Sequence, residues 1–206
     1  MRNLISISLI VFIMGCSSSP YLHLSKTEGK TSCLSSLKPQ FSSELYTAHV
    51  NVTGKHLSGL LLFKTMTDSS IRVIFTNEMG VTFFDFEFEK DGGFKVVSCI
   101  KQIDKKLVIN KLKSDLGLLI MQGINVDQPE ILVSGNETYY SFVLNNERVY
   151  YVTDVTCSQL FRIETASKRQ RKTLVNLFGY ASGMPDSVYL AQQSFEYNIS
   201  LKKIIR

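Results

Sequence analysis

Apolar and polar side chains alternate with a period of two along much of this chain. Tyr46, Ala48, Val50 and Val52 fall on one side of an extended backbone, and the residues between them fall on the other side. This alternation is typical of a β-strand with one buried face. Similar runs recur at residues 60–64, 71–76, 81–89 and 94–100, with turn residues between them. We therefore predict an antiparallel meander.

One of these runs has a strongly apolar side. Phe84, Phe86 and Phe88 share one face of the predicted strand, whereas Asp85 and Glu87 lie on the other face. Because a face of this kind must be buried against another layer of the domain, we expect the phenylalanines to point into the interior.

The period of the pattern changes after residue 102. Apolar residues then recur at intervals of three to five, and lysines fill the positions between them, which indicates an amphipathic helix. We predict a helix from about Asp104 to Met121, with Asp104 as its N-cap. The apolar side of this helix comprises Ile103, Leu107, Leu112, Leu116 and Leu119.

Strand patterns resume after the helix. They lie near Ile131 and at residues 139–144, 149–154, 160–165, 174–180, 188–191 and 195–204. The predicted fold class is α+β, a large antiparallel sheet with one inserted helix. A sheet of this many strands must curl or split to bury its apolar face, and the helix would then cover the concave side as a lid or a plug. Periodicity does not distinguish a filled core from a ligand cavity.

The first 15 residues have the layout of a secretory signal. Arg2 supplies the positive charge, residues 4–14 are apolar, and the small residue Gly15 precedes Cys16. The apolar run is too short to span a membrane, which takes about 20 residues.

The end of this segment, Ile13, Met14, Gly15 and Cys16, resembles the lipobox of bacterial lipoproteins. The resemblance implies cleavage before Cys16, a diacylglycerol on its thiol and a further acyl chain on the new amino terminus. The alternative is an ordinary cleaved signal followed by a chance cysteine.

Two or three acyl chains anchor a protein to a membrane almost permanently. An aspartate directly after the lipidated cysteine would favour retention in the inner membrane, and Ser17 at this position resembles an outer-membrane sorting signal. The acidic cluster that directs some lipoproteins to the cell surface does not follow Cys16. We therefore expect a lipid-anchored protein on the periplasmic face of the outer membrane. Residues 16–43 are mostly polar and are predicted to carry the lipid and form a tether, and residues 44–206 form one domain.

Three cysteines remain once Cys16 is acylated. Cys99 and Cys157 would form a disulfide in an oxidising compartment, or they would stay as buried free thiols because the domain is large enough to fold without a cross-link. The sequence does not decide between these alternatives.

No residue pattern predicts an enzyme. A pair formed by His56 and Ser58 lacks a nucleophile elbow and a third group, and the histidines and cysteines lack metal-ligand spacing. We expect no catalytic residues, no metal and no cofactor. The formal charge of +5 is mild, and nucleic acid is excluded by the expected compartment. We expect a monomer.

The basic run at residues 168–172 lies between two predicted strands. Such a run is commonly a solvated hairpin tip. The alternative is a contact with anionic headgroups or with an acidic carrier protein.

Four features together resemble the LolA/LolB superfamily. They are the lipobox, the meander, the inserted helix, and the ending at residues 183–188 with its last amphipathic strand. The resemblance covers residues 44–205, and residues 70–75 match an apolar-Arg-aromatic strand pattern of that superfamily. Residues 54–59 are interpreted as a turn between two glycines. The stretch from residue 54 through Phe86 also looks like uncharacterised Bacteroidetes lipoproteins.

The resemblance implies an unclosed half-barrel whose concave apolar face takes up the acyl chains of lipoprotein or lipid cargo, with a periplasmic carrier as a partner. On this basis the cavity is expected to be lined by Ile71, Val73, Phe75, Phe84, Phe86 and Phe88. The lid is expected to present Leu107, Leu112, Leu116 and Leu119. Met79, in the turn before residue 81, matches by position a membrane-touching residue of the receptor members; the alternative is a side chain folded back on the sheet. A domain with a solid core that docks an envelope complex is the competing function.

Overall fold

A computed structural model describes residues 20–52, 54–167, 170–179, 183–193 and 196–205. In these residues the chain forms one antiparallel sheet of 13 strands and two helices. The strand order is β1-β7-β8-β9-β10-β11-β12-β13-β2-β3-β4-β5-β6. The sheet is curved and its two edge strands do not pair within the described ranges, which confirms the predicted α+β half-barrel.

The elements follow the predicted pattern closely. They are β1 (Ser25–Lys26), α1 (Ser32–Ser36), β2 (Ser43–Val52), β3 (Lys55–Thr65), β4 (Ile71–Thr76), β5 (Thr82–Phe88), β6 (Phe94–Cys99), α2 (Lys106–Leu119), β7 (Glu130–Ser134), β8 (Glu137–Leu144), β9 (Glu147–Asp154), β10 (Leu160–Ala166), β11 (Arg171–Phe178), β12 (Ser187–Gln192) and β13 (Tyr197–Lys203). Among the residues described, no helix is both long enough and apolar enough to cross a bilayer.

Helix α2 connects the two sides of the sheet. It follows β6, which is one edge strand, and precedes β7, which lies next to the other edge. The chain must therefore cross the concave face at this point. Buried residues of α2 belong to the same apolar cluster as inward-facing residues of nearly every strand. The helix thus fills the space that the curved sheet encloses.

The start of α2 differs from the prediction. The helix begins at Lys106, its N-cap position is Lys105, and no side chain caps it. Leu107 is 85% exposed and is not part of the buried side. Asp104 instead closes a tight turn, because its backbone N–H donates to the carbonyl of Ile100 at 3.0 Å.

The predicted turn at residues 54–59 is also shorter than expected. Strand β3 already begins at Lys55 and pairs with β2 along its length. Gly59 lies inside β3, where a Cβ atom would come within 1.9 Å of the carbonyl oxygen of Thr76. Gly59 therefore allows β3 and β4 to approach closely, and it does not belong to a turn.

The segment predicted as a tether is packed on the domain from Tyr21 onward. Cys33, Leu34 and Phe41 are buried, and the short strand β1 pairs with β7. A polar composition did not reveal this docking, because a few apolar anchors are sufficient for it. The domain boundaries themselves remain a prediction.

The predicted disulfide between Cys99 and Cys157 was wrong, and so was the alternative that both stay free. Cys33 forms a disulfide with Cys157, with Cα atoms 5.9 Å apart, and Cys99 is the free thiol. The cross-link joins α1 to the connection between β9 and β10. It therefore holds the N-terminal segment against the sheet.

Candidate functional site

The interior of the half-barrel contains a small apolar cavity of about 20 Å³. Inward-facing residues of the sheet form its walls, and Leu119 at the end of α2 closes one side. Its lining residues are Pro39, Phe41, Tyr46, Phe63, Leu119, Leu160, Ile163, Leu177, Met184, Pro185, Val188 and Leu201. A cavity of this size holds about one water molecule, whereas pockets for organic ligands occupy about 300 to 1,000 Å³.

Two loop segments cover this cavity. Pro39 and Phe41 come from the N-terminal segment, and Met184 and Pro185 come from the connection between β11 and β12. The Tyr46 hydroxyl donates to the Pro185 carbonyl at 2.9 Å, which joins the second loop to β2. Met184 itself forms a single β-bridge, and the Thr65 hydroxyl of β3 donates to the Phe41 carbonyl, so both covering segments are hydrogen-bonded to the rest of the domain.

The phenylalanines predicted to line a cavity are packed together beneath α2. Val73, Phe75, Phe84, Phe86 and Phe88 are all buried, and Ile71 is half-buried. The rings of Phe84 and Phe86 stack with centroids 4.4 Å apart. None of the six predicted residues lines the 20 Å³ cavity.

Helix α2 lies directly on these rings. Gly117 has no side chain, and a Cβ atom placed there would lie 3.9 Å from the Phe88 ring. The predicted lid residues Leu112, Leu116 and Leu119 are buried, in contrast to the exposed Leu107. Of the ten residues predicted for the cavity and lid, Leu119 alone contacts the cavity described here.

A buried carboxylate joins α2 to the sheet. Asp115 has no exposed surface and forms an ion pair with Lys111 one turn earlier. Burial raises the pKa of Asp115, opposed by the charge of Lys111. Burial and the charge of Asp115 also raise the pKa of Tyr197 on β13. This cluster holds the helix in its position over the sheet.

Met79 stands at the tip of the turn between β4 and β5. Its side chain is 89% exposed and does not fold back on the sheet. The Asn77 side-chain oxygen accepts hydrogen bonds from the backbone N–H groups of Met79 and Val81 at 3.0 and 2.8 Å. The turn is therefore internally bonded, and it presents an apolar side chain to its surroundings.

Part of the basic run is paired within the sheet. Lys168 and Arg169 lie outside the described residues. Arg171 and Lys172 belong to β11, where Arg171 pairs with Glu164 at 2.8 Å and Lys172 pairs with Glu147.

The opposite face of the sheet carries a second, smaller apolar cluster. Tyr139, Tyr150, Val152 and Ala166 form its buried part, and Tyr21 and Leu24 of the N-terminal segment pack on them. The Tyr21 ring stacks on Tyr150 with centroids 4.3 Å apart. Sequence reasoning missed this site. Its one signal was the pattern of β8 and β9, in which neighbouring tyrosines lie on both faces of the sheet.

A buried carboxylate lies at the centre of this second cluster. The Glu164 side chain is fully buried and accepts a hydrogen bond from the Tyr21 hydroxyl. Arg162 and Arg171 both form ion pairs with the same carboxylate. Burial, followed by the hydrogen bond to Glu164, raises the pKa of Tyr21 well above its usual value. The Tyr21 hydroxyl is the donor in its hydrogen bond to Glu164.

Two of the solved structures that are similar to this chain share its extent. No family model and no curated protein matches the chain. A DUF1329 family protein from Desulfovibrio piger is 9% identical with a TM-score of 0.43, and the match covers 85% of this chain and 90% of that one. An outer membrane lipoprotein-sorting protein domain from Vibrio parahaemolyticus is 5% identical with a TM-score of 0.41, with the same coverage. At these values the similarity identifies no function.

Proposed function

We propose that this chain is an outer-membrane lipoprotein, anchored through Cys16 on the periplasmic face, that binds an acyl chain of a lipoprotein or lipid and passes it to the membrane. The observation that carries the proposal is the predominantly apolar cavity between α2 and the sheet, beneath two loop segments. Acyl chains need apolar walls and no polar partner. The proposed function is binding and transfer, not catalysis.

The size of the cavity determines how a ligand would enter. About 20 Å³ is far too small for an acyl chain. In this proposal a ligand enters when the side chains of Phe41 and Met184 move outward. A periplasmic carrier is the proposed source of the cargo.

Removing part of this cover is expected to improve binding. Phe41→Ala deletes a ring that lines the cavity, so we expect a fluorescent fatty acid to bind several-fold more tightly to this variant than to the native protein. Phe178→Ala, which removes an exposed ring, is the matched control and should bind as the native protein does. Saturable fluorescence titration measures both. Absence of saturable binding in the native protein and in Phe41→Ala would contradict the proposal.

A second candidate is an adaptor lipoprotein with a solid core. The small cavity and the close packing of Phe86 and Phe88 beneath α2 favour it. An adaptor would bind no acyl probe, and its function would depend on its surface alone. The titration therefore separates the two candidates.

Met79 is proposed to touch the bilayer during delivery. Full burial of a side chain of this size stabilises the inserted state by at most about 1.5 to 3 kcal/mol. Because Met79 is exposed, Met79→Asp is expected to leave the melting temperature unchanged and to slow the delivery of bound acyl probe to liposomes. Thermal unfolding and a liposome transfer assay measure the two effects. Unchanged delivery would remove Met79 from the proposal.

A further inference from the structure

Two histidines lie beside each other on the face of the sheet that points away from the core. His49 belongs to β2 and His56 to β3, and both side chains are exposed. His49 pairs with Ser58 and His56 pairs with Asn51, so the histidines are diagonal neighbours across the ladder. Their ring centroids are 5.7 Å apart, and the ring planes differ by 21°. The β2–β3 hairpin thus brings together two imidazoles whose sequence spacing did not indicate a site.

A chain of hydrogen bonds orients the His56 ring. The Asn51 Nδ2 group donates to the Oδ1 atom of Asn198 on β13 at 2.9 Å. The amide oxygen of Asn51 therefore faces His56, whose Nδ1 atom lies 2.7 Å away. Because an amide oxygen only accepts, Nδ1 carries the proton, and Nε2 of the neutral ring keeps its lone pair. Histidines that bind metals commonly donate their other ring N–H group in this way.

The separation of the two rings suits one shared metal ion. A metal–nitrogen bond of about 2.0 to 2.1 Å places the ion about 3.2 Å from the centre of an imidazole ring. Two rings on the same ion therefore have centroids at most about 6.4 Å apart, and the observed 5.7 Å lies within this limit. Since both side chains are exposed, small ring rotations that aim both lone pairs at one ion meet little resistance.

The surroundings of the pair limit what else could bind the ion. Among the described residues no group of three or more histidine, cysteine, aspartate or glutamate side chains could hold a metal, so water would complete the coordination. Neighbours on the same face are uncharged, namely Ser58, Ser200 and Asn198. Charges of both signs flank them along β13, with Glu196 before the strand and Lys202 near its end. Net charge therefore does not select the ion, and the imidazoles do.

We infer that His49 and His56 together bind a divalent late transition-metal ion through one ring nitrogen each, and that Cu²⁺ binds most tightly. Imidazole suits Cu²⁺, Ni²⁺ and Zn²⁺, with Cu²⁺ the strongest of the series, whereas Mg²⁺ and Ca²⁺ need oxygen ligands. The inference goes beyond the proposed function and does not depend on the lipid anchor or on acyl binding. The neighbouring residues Ala48 and Val50 face the core, so the histidines lie on the other side of the sheet from the cavity.

Copper titration of the full chain tests the site. The protein is purified in detergent without a histidine tag and in the Cys99→Ala background, which removes a free thiol. It is titrated with Cu²⁺ against glycine as a competing chelator, and we expect saturable binding of one ion per chain. His49→Ala and His56→Ala should each weaken binding at least about ten-fold, because the second imidazole binds intramolecularly. His23→Ala removes another exposed histidine and is the matched control, with unchanged affinity expected.

Electron paramagnetic resonance of the copper complex counts the bound imidazoles. The native spectrum should show two imidazole nitrogens, and each single-histidine variant should show one. Asn51→Ala retains both histidines and removes the acceptor for Nδ1, so the affinity should fall about 10- to 100-fold while the two-imidazole spectrum remains. Asn51→Asp supplies an acceptor again and should restore the affinity. Circular dichroism without metal shows whether each variant is folded.

The other outcomes overturn the inference in distinct ways. Absence of saturable binding in the native chain would mean that the pair is not a site. Equal affinity in the native chain and both histidine variants would mean that copper binds elsewhere, and a loss in only one of them would mean that the rings do not share an ion. Displacement of copper by an equal concentration of Mg²⁺ would indicate oxygen ligands. Unchanged affinity in Asn51→Ala would exclude the orientation of His56 by Asn51.

Discussion

Replacing Cys33 and Cys157 by alanine is expected to lower the free energy of unfolding by about 4 to 5 kcal/mol. The two cysteines are 124 residues apart, and a cross-link over such a long loop strongly restricts the unfolded chain. The loss would be large against the total stability of about 5 to 15 kcal/mol that is usual for a domain. Urea denaturation of the double variant and the native protein measures the difference.

Cys99→Ala is the control for this experiment. Cys99 is a half-buried free thiol, so its replacement should lower the stability far less than the loss of the disulfide. The addition of a reductant to the native protein should reproduce the effect of the double variant. Equal urea midpoints for the native protein and the double variant would show that the cross-link does not form.

Phe86→Ala is expected to lower the free energy of unfolding by about 3 to 5 kcal/mol. Phe86 has no exposed surface, stacks on Phe84 and meets the edge of the Phe94 ring with centroids 5.2 Å apart. Its removal leaves a void in the core beneath α2. Phe178→Ala, at a 56% exposed position, should change stability by no more than about 0.5 kcal/mol.

The comparison of Phe86→Ala with Phe178→Ala also shows whether Phe86 lines a cavity or fills the core. A ring that lined an open acyl cavity would contribute little to the stability of the empty protein, and its loss would weaken binding of the acyl probe. A ring in a filled core gives the opposite result, a large loss of stability. Chemical denaturation and the probe titration, carried out on the same two variants, distinguish these roles. A loss below about 1 kcal/mol for Phe86→Ala would contradict the packing described here.

The sequence predicted the sheet well because its signal is local. Alternation in residues 71–76 and 81–89 depends only on which face of one strand is buried, and the structure has β4 and β5 at these positions. The polar face predicted for β5 is also present, because the Arg72 Nε–H group of β4 donates to the Asp85 carboxylate of β5 at 3.0 Å. The spacing of Leu112, Leu116 and Leu119 likewise indicated α2 and its buried side.

The candidate cavity was not predictable in the same way. Tyr46 was recognisable as a position on the apolar side of a strand, but the location of an unfilled space depends on how α2 and the loops pack on the sheet. Phe41 was assigned to a tether because its neighbours are polar. Leu107 was assigned to the buried side because it continues a helical spacing, but the helix has only just begun at that residue and its side chain remains exposed.

By itself, the sequence determined most of the strands from residue 43 onward, the α+β class and the apolar face of β5, because these follow from hydrophobic periods within short segments. The tertiary structure decided the Cys33–Cys157 pairing, the position of the cavity and the docking of Tyr21 on Glu164. The partners in these contacts are far apart along the chain, 124 residues for the disulfide and 143 for the tyrosine. No local pattern encodes such contacts, since they form only when the curved sheet brings distant segments together.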